Sequence, residues 1–148
     1  MFESQVLIYD GDCAFCQRCV DWGVRVLPAF PQALAYASIQ PEAFGLTLQD
    51  VQTSVWLVDI GAPLNQRQAG KAQWSGHHAV AQILLQQPTK SQFGLFWRAF
   101  GYLLILGGPV SAFGYRLVAK NRHRLPGATP ACEMPADTSA SSPNKANK

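Results

Sequence analysis

Val6-Leu7-Ile8-Tyr9-Asp10-Gly11-Asp12-Cys13-Ala14-Phe15-Cys16-Gln17-Arg18-Cys19 is the stretch on which the reading of this chain turns. Its four leading apolar residues are too few for a helix and end at Asp-Gly, so they predict a short buried strand in the middle of a sheet. From Ala14 to about Leu27, Cys16, Val20, Val24 and Leu27 recur at helical spacing. Pro28 and Pro31 then stop the helix. A strand, a tight turn and a Cys-x-x-Cys at the mouth of a helix is an arrangement that redox dithiols use. The same letters also fit a phosphatase aspartate loop and a zinc or iron ligand cluster.

Outward from that stretch, Leu34 to Ile39 is the second strand candidate, and Pro41-Glu42 starts a helical segment with Phe44, Leu46 and Leu48. Leu48 to Val51 either continues it or begins a second short helix. Ser54 to Asp59, β-branched and aromatic, predicts the third strand, ended by Gly61-Ala62-Pro63. Ala72 to Ser75 predicts a fourth after a polar loop, so Val55 to Trp74 reads as an antiparallel hairpin. Ala79, Val80, Ile83 and Leu84 mark one helical face, with Ser75 as its cap. Strand, helix, strand, helix, hairpin, helix is the order of a thioredoxin-like α/β sandwich of about four strands with flanking helices.

Ala99 to Tyr115 holds no charged residue and is broken by Gly107-Gly108-Pro109. This is just short of a bilayer-crossing length, and the break would leave backbone groups unbonded in lipid. Two helices are expected instead, about Phe93 to Leu106 and Pro109 to Asn121, with little polar surface on the first. The expected division is a core over 1–90 carrying the Cys-x-x-Cys, apolar C-terminal helices over 91–125 packed on it, and a disordered tail over 133–148. The apolar helices also suit a weak membrane-surface contact or a partner groove.

At 148 residues the chain can bury a core, and 48% hydrophobic against 14% charged residues describes a globular, somewhat apolar protein. A net charge of +3 is mild. Arg116, Lys120, Arg122, His123 and Arg124 gather late, where cations suit a helix end, and nucleic-acid binding is not expected. No basic, apolar leader opens the sequence, so a cytoplasmic location is expected. A Cys-x-x-Cys in that compartment is more often catalytic or metal-binding than structural.

As redox chemistry, Cys13 stands at the helix N-terminus, where the thiolate is favoured, and is expected to be the more exposed, attacking thiol. Cys16, one turn in and partly covered, resolves the mixed disulfide. Asp12 and Asp10 act against thiolate formation, which predicts a Cys13 less acidic than that of a strong oxidant and a couple on the reducing side. Asp10 is either a proton acceptor for Cys16 or the closing residue of an Asx-type turn. Cys19, a further turn along, is expected in the core.

The chain resembles the DCC-type thiol-disulfide oxidoreductases, named for an Asp-x-x-Cys-x-x-Cys motif, here Asp10 to Cys16. Trp74-Ser75-Gly76-His77-His78-Ala79 is similar to the family's aromatic-x-Gly-x-x-Ala segment. Tyr115 to Arg122 is similar to its late Tyr…Asn-Arg helix end. The resemblance implies a thioredoxin-like fold and disulfide exchange, with Cys13 and Cys16 as the redox pair; no cofactor is expected. The implied partners are a disulfide-containing protein or small thiol and a cellular dithiol donor. In thioredoxin a cis-proline before the third strand faces the dithiol; here Gln52-Thr53-Ser54 stands in that neighbourhood. Substrate binding therefore differs, or the site is open to a metal.

Three other readings compete. A metal centre would use Cys13, Cys16 and Cys19 with Cys132, His77 or His78, but zinc wants two separated pairs and iron-sulfur runs want a nearby fourth Cys. A phosphatase would use Asp10 as nucleophile and Asp12 as general acid, but no late pair of carboxylates follows Asp59. A non-catalytic interaction module would rest on the apolar late helices. His77 and His78 suit a helix-start surface role, Asn121 and Arg122 a bracing role at the last helix, and Cys132 an exposed position near the tail.

Overall fold

The computed structural model describes residues 2–90 and 92–121. The expectations placed on Arg122, His123, Arg124, Cys132 and the 133–148 tail lie outside those residues.

Strand β1 (Gln5–Tyr9) is central, as its apolar run predicts. It feeds through the Asp10–Cys13 turn into α1 (Ala14–Val26), and the chain returns as β2 (Gln32–Ala35) parallel to β1. Two 3-10 turns, Tyr36–Ser38 and Pro41–Phe44, lead to α2 (Leu48–Thr53). Then come β3 (Trp56–Asp59), α3 (Leu64–Gln68), β4 (Gln73–Ser75), α4 (Gly76–Leu85), α5 (Gln92–Leu106) and α6 (Gly108–Asn121). The sheet order is β2-β1-β3-β4, with β3 antiparallel to both neighbours. It is a mixed four-stranded α/β sandwich with added C-terminal helices, as the element order predicts.

Alternation along β1 and β3 splits the core in two. Leu7 and Leu57 face α1 and α4, joining Leu27, Ala79, Ile83 and Leu84. Val6, Ile8 and Val58 face the other way, onto Leu46 and Val51. The second helical candidate is a separate helix: Thr47 and Asp50 form a reciprocal capping box that starts α2 afresh.

Four expectations are corrected. β2 begins at Gln32 and ends at Ala35 because its parallel partner ends at Tyr9; past that register Tyr36 has no strand to pair with and the chain coils. The polar loop before β4 contains α3, which starts behind Pro63, a residue pre-set for a helix start. Val24 is exposed, and Gly23 takes the buried place on α1 because the Phe30 ring lies against it; an added Cβ would stand 2.5 Å from Phe30 Cε2. Ser75 holds the N-cap position of α4 without a side-chain capping bond.

Candidate functional site

The site starts where β1 ends. Asp10 is buried, and its Oδ1 accepts a 3.1 Å bond from the Asp12 backbone N–H, closing an Asx-type turn. Gly11 lies against β2, where a Cβ would stand 2.5 Å from that of Ala35, so no larger residue fits. The Gln17 side-chain amide donates back to the Gly11 carbonyl and ties the turn to the first turns of α1. Cys13 is the extended N-cap residue, at φ −87° and ψ 106°, and its carbonyl accepts the first helical bond from Gln17.

Cys16 lies one helical turn along, and the two are not joined in a disulfide. Their exposure is the reverse of that expected. Cys13 has 0% of its surface exposed, while Cys16 is half-buried and lines an apolar groove of about 530 Å³. Asp10 lines the same groove, whereas Asp12 is exposed. Phe15, Trp22, Val55, Trp97 and Phe100 form much of its apolar wall.

Cys19 is not a core residue. It is exposed overall, with its side chain on the groove wall. Burial there pushes its thiol above the usual value, and charge at Cys13 adds to the shift. Cys19 is therefore held protonated.

Thr53, Ser54, Val55 and Tyr115 line the same groove as Cys16. Among the described residues no peptide bond is cis. Instead the Tyr115 hydroxyl from α6 reaches this segment, 3.3 Å from the Val55 backbone N–H that donates to it and 3.4 Å from Ser54 Oγ. Gly76 makes room for that ring. Its φ is +54°, and a Cβ would come within 3.0 Å of Tyr115 Cε1. The Gly76 and Tyr115 segments, far apart in sequence, thus meet beside the Asp10–Cys16 turn.

His77 and His78 start α4 with their rings 4.0 Å apart. Burial lowers the pKa of His77, and His78 and Arg116 lower it further. Among the described residues, no three His, Cys, Asp or Glu side chains are grouped to hold a metal ion. Asn121 braces α6 by donating to the Leu117 carbonyl at 2.8 Å.

Sequence reasoning missed Gln87. It is buried, donates to the carbonyls of Ala29 and Ile83, and accepts from the Ala29 N–H. It thereby locks the end of α4 to the segment after α1. A glutamine beside a proline after an apolar helix carries no sequence signal of such a role.

A family model described as DCC1-like thiol-disulfide oxidoreductase matches residues 7–128, which is most of the chain. No curated protein and no solved structure gives a match.

Proposed function

The chain belongs to the DCC1-like thiol-disulfide oxidoreductase family, and on that premise we propose that Cys13 and Cys16 exchange a dithiol for a substrate disulfide. The observation that carries this reading is that Cys16 lines an apolar groove, with Cys13 one helical turn back at the start of α1.

One thiolate of the pair attacks a substrate sulfur. A mixed disulfide forms, the substrate S–S bond breaks, and the departing sulfur takes up a proton. The second cysteine, once deprotonated, attacks its neighbour's sulfur. The Cys13–Cys16 bond forms, the mixed bond breaks, and the substrate leaves as a dithiol. The pair has then given up two electrons and two protons, which a cellular dithiol donor restores. Asp10, buried on the groove that Cys16 lines, is the proton acceptor for Cys16. The apolar wall suits a large apolar side chain flanking the substrate disulfide.

Our reading puts Cys16 first. A helix N-terminus favours an anion by up to about 2 kcal/mol, roughly thirtyfold in thiolate. A sulfur with no exposed surface is out of reach of a disulfide until its turn opens, whatever its charge. The reverse order, Cys13 attacking and Cys16 resolving, is favoured by Cys13 being the N-cap of α1. Mass mapping of the single variants separates the two. With Cys16 first, Cys13→Ser accumulates the mixed disulfide; with Cys13 first, Cys16→Ser does. A donor-coupled turnover assay tests exchange itself, and equal turnover by the double variant would contradict it.

A further inference from the structure

Helix α5 packs on α4 with its small residues inward. Gly94 and Gly101 are its buried residues. A Cβ on Gly101 would come within 3.1 Å of the Ala81 carbonyl and of Leu84 Cβ, and one on Gly94 would overlap the Pro88 carbonyl. Trp97 and Leu104 pack on the core, but other large side chains turn outward: Phe93 is 72% exposed, Leu103 62% and Leu106 83%. On α6, Val110, Phe113 and Leu117 are exposed as well.

A helix on a water-facing surface buries its large apolar side chains and exposes polar ones. Small residues at the helix contact with large apolar ones outside is the pattern of helices whose outer face meets hydrocarbon. The exposed residues form runs along two consecutive helices, not the scattered single residues that a surface tolerates.

The charges carried by these two helices have one sign. From Ile60 to Cys132 the sequence has no acidic residue but carries eight Lys and Arg, of which Arg98, Arg116 and Lys120 lie on α5 and α6. Neither helix reaches across a bilayer by itself. The fifteen residues of α5 reach about 22 Å at the usual rise, against a hydrocarbon core of about 30 Å. No described helix is long and apolar enough to cross alone, and the two together are bent by 98°.

We propose that the outer face of α5 and α6 seats on the surface of an anionic phospholipid bilayer. Its apolar side chains enter the headgroup–acyl boundary, and Arg116 and Lys120 meet the lipid charge. An apolar protein partner would cover the same side chains but would give no reason for the single-signed charge. Phe100 lines the groove and is exposed on α5, so the groove at Cys16 would open beside the bilayer. The proposal does not depend on the dithiol chemistry.

Flotation of the intact 148-residue chain with vesicles tests it, using phosphatidylcholine alone or mixed with phosphatidylglycerol. The chain is expected to float with the mixed vesicles, less so in high salt, and weakly with phosphatidylcholine alone. Arg116→Gln and Lys120→Gln should each lower the partition about fivefold. Phe93→Ser with Leu103→Ser should abolish flotation while leaving the melting curve in place, since both side chains are mostly exposed. Absence of flotation by the wild type, or flotation that neither pair of substitutions weakens, would overturn the proposal. So would self-association lost in Phe93→Ser/Leu103→Ser without vesicle uptake, which would assign the face to a second copy.

Discussion

At the residue scale, chemistry and packing compete for the same few positions. Cys19 is held protonated by burial and by Cys13, so its alkylation midpoint should lie above the ordinary 9.0. In Cys13→Ala that midpoint should fall, since one of the two causes is removed; an unchanged midpoint would show that the two sulfurs do not communicate. Gly11→Ala drives a methyl into Ala35 at the turn that leads into Cys13 and α1. It should cost about 1–3 kcal/mol, readable by urea unfolding, and should lower activity with it. Gln87→Ala removes one accepted and two donated hydrogen bonds to the backbone in a buried place. The expected loss is about 2–3 kcal/mol, and a change below a few tenths would mean that water replaces the amide. The family was legible in the sequence, because Asp10, Cys13 and Cys16 stand at its motif spacing after a strand. Which thiol faces outward was not, because the wall that Cys16 shares is built by Trp97, Phe100 and Tyr115 from the far end of the chain.

At the element scale, α4 and α6 meet where the histidines begin α4. His77 titrates below its ordinary 6.5 because of burial, then His78, then Arg116. Folded protein therefore binds fewer protons than the unfolded chain as pH falls below 6.5, and stability is lost on acidification until the folded group also protonates. Thermal melts across pH 5 to 7.5 should show this loss in wild type and a smaller one in His77→Gln. The opposite slope would place the groups otherwise. The elements that periodicity could reach were read well: β1, α1, the hairpin and the two late helices. Those it missed depend on partners far along the chain. The end of β2 is set by the end of β1, and Val24 is turned outward because Phe30 occupies the face of Gly23.

At the scale of the whole molecule, three segments distant in sequence close one groove. The segment after β1 supplies Asp10 and Cys16, the Gly76 corner leaves space, and Tyr115 fills that space while accepting from the Val55 N–H. Tyr115→Phe should keep the fold, cost about 1 kcal/mol and raise the KM for disulfide substrates more than it lowers kcat. The absence of a cis-proline among the described residues is then a change in how the groove wall is made. The account stands on Cys13 and Cys16 being a single redox couple. Its most direct test is peptide mapping of the chain after equilibration in glutathione buffers from reducing to oxidising. The account predicts a reversible Cys13–Cys16 cross-link, with Cys19 left as a thiol. Cys13 and Cys16 both remaining reduced across the range, or Cys16 pairing with Cys19 instead, would contradict it.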